Sequence, residues 1–255
     1  MSSKDNASET LAKGLRILDL FGNEEAGFTL SQIAGRVGIN KTSVHRYVNT
    51  FCELGFLRQD EQTRRYRTGV RMLALAHSMR EQSELVTQVR PLVDEVHQTY
   101  DLHVDVGIVA GDAIHLLYRR ESRDTRAFRS FISSSDLHYL ATGKAALAFM
   151  PASVREELLG RLALRAKTER TITDAKELLA DLKRTRERGY SLNNEEFVPG
   201  LIAIGAPLFS LRTGKVVGGV SFDTTTDRYS MKEFEIQYGA YLVELAKKIS
   251  AVVSL

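Results

Sequence analysis

The chain has 255 residues, of which 43% are apolar and 26% are charged, as in soluble globular proteins. This length has room for one large domain or two small ones. A single cysteine excludes an internal disulfide bond and a multi-cysteine zinc site. The formal net charge of +3 does not indicate nucleic-acid binding by the chain as a whole, so such evidence must be local. No apolar run has the length of a membrane span, and the first ten residues lack the apolar core of a signal peptide. We therefore expect a cytoplasmic protein with no membrane partner.

The first predicted element is a helix over residues 10–21. Its spacing of apolar side chains is helical, and a core stripe is expected. The candidates for that core are Leu11, Leu15, Ile17, Leu18 and Phe21.

Two further helices with a tight turn between them are predicted within residues 28–57. Thr29 suits the N-cap of the first of these, and its apolar residues recur at helical spacing. Gly38 suits the left-handed end of that helix, and Asn40 suits the N-cap of the next. This layout is typical of a helix-turn-helix, whose second helix enters the DNA major groove.

The second helix of this pair is predicted to have one apolar and one polar face. Val44, Val48, Phe51 and Cys52 share the apolar face, so Cys52 is expected to pack rather than to react. Gly55 follows as the end of the helix. The opposite face carries side chains that can contact bases and phosphates. These candidate DNA-binding residues are Lys41, Thr42, Ser43, His45, Arg46 and Asn49.

Residues 56–58 and 66–68 are predicted to form a hairpin, a wing beside the recognition helix. Between positions 36 and 71 the sequence has eight lysines or arginines and only three acidic residues, a larger positive excess than the whole chain carries. Arg64, Arg65 and Arg67 are predicted to contact phosphate or the minor groove. The alternatives are an ordinary amphipathic helix pair and a protein-interaction module without DNA. The basic wing argues against both.

Residues 70–90 are predicted to form an uninterrupted linker helix. It carries more apolar surface than a solvated linker needs, Leu75 and Met79 included, which predicts a dimer contact. Pro91 is predicted to lie in the first turn of a new helix.

The remaining residues alternate between strand and helix patterns. A hairpin is predicted over residues 101–121 with its turn at 110–112, and two further strands over 201–210 and 215–224. Helices are predicted over residues 143–150, 152–159, 173–188 and 231–253. Hairpin strands interleaved with helices indicate an α+β domain with a mostly antiparallel sheet.

Signals of other chemistry in this region are weak. The Gly-Lys at 143–144 lacks the earlier glycine and the Ser or Thr of a phosphate-binding loop. Asp101, His103 and Asp105 alternate along a strand, which favours a hydrogen-bonded face over a metal site. Glu195 and Glu196 are adjacent and would point apart. No metal, no cofactor and no catalytic residue is expected, and an enzyme acting on a ligand of the C-terminal domain is the second hypothesis.

Three stretches carry a resemblance to a known family: residues 39–57 (INKTSVHRYVNTFCELGFL), 140–149 (LATGKAALAF) and 188–222. The last joins a Gly-Tyr, paired Glu, Pro-Gly, Ala-Pro and a Gly- and Val-rich strand. In this order they resemble the IclR family of bacterial transcriptional regulators, over nearly the whole chain.

The resemblance implies a winged helix-turn-helix DNA-binding domain over residues 8–69, a linker or dimerisation helix over 70–90, and a PAS/GAF-like effector-binding domain over 91–255. It implies a homodimer or homotetramer that binds double-stranded operator DNA near catabolic genes, as repressor or activator. It also implies control by a small effector of the organic-acid, sugar-acid or aromatic-acid type.

The effector pocket implied by the resemblance lies between the sheet and the helix that opens at the ATGK-type motif. Its matched positions are Ala141, Thr142, Gly143, Asn193, Leu201, Ala203, Ser221 and Asp223. Asp223 departs from the family pattern, in which a small residue is common. Its carboxylate would repel an anion unless protonated or paired, which favours a polyhydroxy or amine-bearing ligand or a nearby arginine. Arg126 and Arg129 are candidates for that partner, or for binding an acid ligand themselves. A small hydroxylated organic acid is the expected ligand.

Overall fold

The computed structural model describes residues 8–22, 26–122 and 133–255, which divide into two compact units that meet between Ser83 and Glu84. The first unit contains α1 (Glu9–Asp19), a 3-10 turn (Leu20–Gly22), α2 (Leu30–Val37), α3 (Lys41–Glu53), β1 (Leu57–Gln59), β2 (Tyr66–Thr68) and α4 (Val70–Gln82). No helix within these described ranges is long and apolar enough to cross a membrane.

Side-chain caps set the ends of α2 and α3. Thr29 and Gln32 form a reciprocal capping box at the start of α2, and Gly38 ends that helix in the left-handed conformation with φ of 66°. The Asn40 side chain then accepts a hydrogen bond from the Ser43 amide at the start of α3. The predicted helix-turn-helix is therefore confirmed.

The core of the first unit comes from one face of each helix. Ile17, Phe21, Ile33, Val44 and Val48 are buried together. The core prediction for Leu11 and Leu15 was wrong, because their side chains are 62% and 49% exposed. These two leucines lie one turn apart on a stripe of α1 that is rotated away from Ile17.

The predicted wing is confirmed as an antiparallel hairpin of β1 and β2. Phe28, ahead of α2, adds a third short segment by exchanging two backbone hydrogen bonds with Tyr66, at 3.0 and 2.7 Å. The wing is thus tied to the helix-turn-helix by its backbone.

The linker prediction was wrong at its C-terminal end. Instead of one helix to residue 90, α4 ends at Gln82 and a separate helix begins at Glu84. A serine followed by an acidic first turn is a typical helix start, which explains the break at Ser83. Pro91 lies inside the second helix, where Val86, Val89 and Val93 bury one face and hold it helical despite the missing donor.

The second unit is an α+β fold, as expected. Its elements are α5 (Glu84–Tyr100), β3 (His103–Ala110), β4 (Ala113–Arg120), β5 (Ser133–Ser134), a 3-10 turn (Leu137–Tyr139), α6 (Ala141–Phe149), α7 (Ala152–Leu159), α8 (Ala175–Arg188), β6 (Ser191–Asn194), β7 (Leu201–Phe209), β8 (Val216–Thr225) and α9 (Met231–Ser250). The strands form one antiparallel sheet in the order β5-β4-β3-β8-β7-β6.

The two faces of this sheet differ in chemistry. Even-numbered residues such as Val104, Ile204 and Phe222 point into an apolar core shared with α5 and α9. Odd-numbered residues of β7 and β8 lie under α6 and include glycines and polar residues. Period-two alternation therefore places an apolar layer on one face and a polar layer on the other.

Glycines let the first turn of α6 approach the sheet closely. A Cβ added to Gly205 would lie 2.4 Å from the Ala141 carbonyl oxygen, and one added to Gly219 would lie 2.6 Å from that of Thr142. Ser191 donates a hydrogen bond to the same Ala141 oxygen at 2.6 Å. The start of α6 is therefore fixed on the polar face of the sheet.

We expect Gly205→Ala to destabilise the second unit by about 1–3 kcal/mol, because the new methyl must separate α6 from β7. Urea unfolding followed by circular dichroism measures the change. Gly160→Ala is the matched control, since its Cβ would be at an ordinary 3.4 Å from the Glu156 oxygen. Equal midpoints for both variants would contradict the proposed close approach.

Candidate DNA interface and effector site

The polar face of α3 is open to solvent in the first unit. Five of the six predicted DNA-binding residues are exposed, and Ser43 is half-buried. The exposed ones are Lys41, Thr42, His45, Arg46 and Asn49. The opposite face, through Val44 and Val48, is fully buried, so the polar face of the helix is held outward.

Contacts within α3 order part of this face. The Asn49 amide nitrogen lies 3.4 Å from His45 Nδ1, one helical turn away. Both side chains keep further donors and acceptors for base edges. Ser43 and Arg46 also line a groove of about 580 Å³ between α1 and α3, whose walls include the exposed Leu11.

The three wing arginines differ in their surroundings. Arg64 is exposed at the turn of the hairpin, with a φ of 56°. Arg65 is half-buried and donates from Nη1 to the Gly27 carbonyl oxygen at 2.7 Å. Arg67 is also half-buried. Arg64 is thus the most accessible cation of the three, while Arg65 also ties the wing to the segment before α2, which the sequence did not reveal.

The predicted effector site begins at the first turn of α6. The helix starts at Ala141 rather than at the expected Gly143, and its N-cap residue, Leu140, makes no side-chain capping hydrogen bond. The first amides of an uncapped helix have no intrahelical acceptor and form the positive end of the helix dipole. The Thr142 hydroxyl is buried in the same turn and has no hydrogen-bond partner among the residues that the structure describes.

Two rows of residues cross the polar face of the sheet. The strand register aligns the first row as Asn193, Ala203, Asp223 and His103, and the second as Ser191, Gly205, Ser221, Asp105 and Arg119. Leu201 lies two residues along β7 from Ala203, on the same face. The structure therefore brings the predicted sheet positions together with three that the sequence did not assign, which are His103, Asp105 and Arg119.

Asn193 uses its amide inside the fold. Its nitrogen donates to the Tyr139 carbonyl oxygen at 2.5 Å, and its oxygen accepts from the Glu196 amide at 2.9 Å. Asn193 therefore holds the segments on either side of the site, and its predicted role as a ligand contact remains a prediction.

A buried charge network occupies the β8, β3 and β4 positions. Arg119 donates to both carboxylate oxygens of Asp105, at 2.6 and 2.5 Å. His103 Nε2 lies 3.1 Å from Asp105 and 3.9 Å from Asp223. The Ser221 hydroxyl donates to Asp223 at 3.2 Å. Arg119 is thus an arginine close to the two carboxylates, a role predicted for Arg126 or Arg129, which both lie outside the described residues.

The carboxylates of this network have different pKa values. Burial raises the pKa of Asp223 to about 7, the Asp105 carboxylate acts in the same direction, and His103 and Arg119 oppose it. Burial would also raise the pKa of Asp105, but hydrogen bonds from His103 and Arg119 hold it below its ordinary value. Hydrogen bonds and opposite charges thus outweigh the effect of burial on the pKa of Asp105, whereas at Asp223 they offset that effect only in part.

A second buried network supports α6 from below its first turn. The Lys144 ammonium is fully buried and lies 3.1 Å from Asp181 of α8 and 2.6 Å from Glu196. Burial raises the pKa of Glu196, while Lys144 acts to lower it. The lysine of the ATGK-type motif is therefore an internal link between α6, α8 and the loop after β6.

Comparison with known proteins assigns both units of the chain to one family. The model of the IclR helix-turn-helix domain matches residues 10–61, and that of the bacterial transcriptional regulator IclR C-terminal domain matches residues 77–251. The HTH-type transcriptional regulator BhcR of Paracoccus denitrificans is 33% identical over 94% of this chain and 85% of its own length. The HTH-type transcriptional regulator KdgR of Escherichia coli is 29% identical over 97% and 93%.

Among solved structures, an IclR homolog from Microbacterium hydrocarbonoxydans, complexed with 4-hydroxybenzoate, has 23% identity and a TM-score of 0.72, covering 96% of this chain and 99% of its own. These proteins are regulators and not enzymes. The chain belongs to the IclR family of bacterial transcriptional regulators.

Proposed function

We propose that this regulator binds a roughly palindromic operator of a catabolic operon as a homodimer or homotetramer, and that a small hydroxylated organic acid controls it. The observation that carries the effector assignment is the uncapped α6 N-terminus beside the unpartnered Thr142 hydroxyl. Free helix amides at the positive end of a dipole bind carboxylates well.

The hydroxyl part of the ligand is inferred from the other half of the site. Asp223 and His103 offer an acceptor and a titratable nitrogen next to the sheet. A ligand with a carboxylate at one end and a hydroxyl at the other suits both halves. The 4-hydroxybenzoate complex of the Microbacterium relative supports this class, since that ligand carries both groups.

The DNA contacts are inferred from the first unit. A dimer with two-fold symmetry would place two α3 helices in successive major grooves, about one helical turn apart. Arg46 and Asn49 suit base edges, and the remaining polar residues of α3 suit nearby phosphates. Arg64 suits phosphate or the minor groove, with Arg65 and Arg67 behind it.

We expect Arg46→Ala to lower affinity for the chain's own upstream DNA by about 10- to 100-fold while affinity for an unrelated duplex changes little, because a base contact is lost. Arg64→Ala should instead weaken both duplexes similarly and lower the salt slope by about 1, because one phosphate contact is lost. Fluorescence anisotropy at several salt concentrations measures both effects.

Arg16→Ala is the control for these two variants, since it removes an exposed charge from α1 outside the proposed interface. If Arg46→Ala and Arg16→Ala behaved alike, the assignment of α3 as the recognition helix would be wrong. An equal loss of affinity for both duplexes in Arg46→Ala would mean that Arg46 contacts phosphates and not bases.

The dimer contact is inferred from α4, whose apolar side chains Val70, Leu73, Leu75 and Met79 are 79%, 71%, 49% and 65% exposed. We expect the double variant Leu75→Ala and Met79→Ala to weaken the dimer by at least about 10-fold, because buried apolar anchors carry much of the energy of an interface. Light scattering over a concentration series measures the change. Leu211→Ala, at a 66% exposed position of the second unit, is the control. An unchanged mass for the α4 variant would exclude this contact.

We expect Asp223→Ser to reduce the preference for 4-hydroxybenzoate over benzoate by about 10-fold or more, since a hydroxyl partner is lost. Thr142→Val should weaken both acids, because its hydroxyl lies at the carboxylate end. Isothermal titration calorimetry measures the affinities, with glycolate and gluconate as further probes. Asp112→Ser, in the exposed β3–β4 turn, is the control. DNA affinity without effector should be unchanged in all three, and an unaltered preference in Asp223→Ser would remove Asp223 from the site.

A further inference from the structure

Three metal-ligand side chains converge on the polar face of the sheet. His103 and Asp105 lie on β3, and Asp223 lies opposite His103 on β8. One ligand atom from each lies within 4.8 Å of the others. His103 and Asp105 are almost fully buried, and the Asp223 side chain is 12% exposed. The cluster is therefore held by strand register and not by a flexible loop.

The distances suit a small divalent ion. Metal–ligand bonds of about 2.0–2.2 Å place neighbouring ligand atoms roughly 3 Å apart and opposite ones roughly 4 Å apart. His103 Nε2 lies 3.1 Å from an Asp105 oxygen and 3.9 Å from an Asp223 oxygen. A small rotation of the Asp223 carboxylate would bring all three atoms into one coordination sphere.

Arg119 forms hydrogen bonds with one carboxylate of the pair, that of Asp105, and its charge also acts on the other, that of Asp223. It donates hydrogen bonds to both oxygens of Asp105 and so orients that side chain. Residues that bind a metal are commonly oriented in this way by a partner outside the coordination sphere. In the part of the chain that the structure describes, Asp223 has the Ser221 hydroxyl at 3.2 Å and the His103 ring at 3.9 Å, and the Arg119 charge also acts on it. A buried carboxylate with so little compensation favours a cation beside it.

Charge also connects such a cation to the effector. Arg119 and a divalent ion together carry three positive charges against the two carboxylates. One positive charge remains, which an anionic ligand would neutralise. A metal would thus remove the repulsion that Asp223 otherwise exerts on an organic acid, and a hydroxyl or oxo group next to the acid could complete the coordination.

We propose that His103, Asp105 and Asp223 bind a divalent transition-metal ion, Zn²⁺ being the best match to one imidazole and two carboxylates. The ion would take the place of the proton in the hydrogen bond between His103 Nε2 and Asp105. Arg119 would keep its hydrogen bond to the second Asp105 oxygen. The proposal shares its location with the effector site proposed above, but it is tested without effector and without DNA.

The test uses the full-length untagged protein after dialysis against EDTA and then against metal-free buffer. Titration with Zn²⁺ in a calorimeter and with Co²⁺ in a spectrophotometer should show one ion per chain, with visible Co²⁺ bands of a low-coordinate site. His103→Ala and Asp223→Ser should each weaken binding by about 100-fold or more, at least the loss seen when an outer partner is removed. His115→Ala and Asp112→Ser, both at exposed positions of the same hairpin, should bind as the parent does.

Circular dichroism and thermal unfolding show whether each variant is folded. Asp223→Ser tests the site if His103→Ala does not fold, because a serine fills less space at a half-buried position. Binding of less than one ion per chain, or equal affinity in Asp223→Ser and Asp112→Ser, would overturn the proposal. Organic-acid binding to the metal-free protein would in that case still support the effector site, so the two failures are distinguishable.

Discussion

The effector domain depends on the close approach of the first turn of α6 to β7 and β8. Gly205 and Gly219 leave no side chain between the helix backbone and the sheet, and Ser191 binds the Ala141 carbonyl oxygen across the contact. The first turn of the helix is therefore held on the polar face of the sheet, and its first amides have no intrahelical acceptor. A larger residue at either glycine would raise the helix and separate its first amides from the sheet groups that we propose act on the same ligand.

Lys144 extends this constraint to the rest of the domain. Its buried ammonium joins α6 to Asp181 of α8 and to Glu196, and the Glu196 amide in turn binds Asn193 of β6. A buried charge that loses a partner is costly, so these elements are constrained to move together or not at all. A ligand that shifts the start of α6 would act on a connected network and not on a single turn, which suits a switch between discrete arrangements.

Local signals made the DNA-binding unit predictable, whereas the effector site depends on register. Thr29, Gly38 and Asn40 fix helix ends through their own side chains or backbone, so the helix-turn-helix could be placed from sequence. The exposure of Leu11 depends on which neighbour covers each face of α1, and periodicity does not contain that information. The family resemblance supplied Thr142 and Asp223. His103 and Asp105 were visible as an alternating pair, but their partners Asp223 and Arg119 lie on other strands. Only strand pairing joins them.

Along the chain, α5 and α4 connect the effector-binding unit to the DNA-binding unit. α5 packs on the apolar face of the sheet, opposite to α6, through Val89 and Val93. A shift of β8 or β3 caused by a ligand on the polar face would therefore displace side chains on the apolar face, because a close-packed core transmits displacement. The helix break at Ser83 separates α5 from α4, so α4 need not follow α5 as one rigid rod. An effector changes DNA affinity only if it binds two such arrangements unequally. The groups with most to gain from a difference are the Asp223 carboxylate, whose side chain is 12% exposed, and the first amides of α6, which have no intrahelical acceptor.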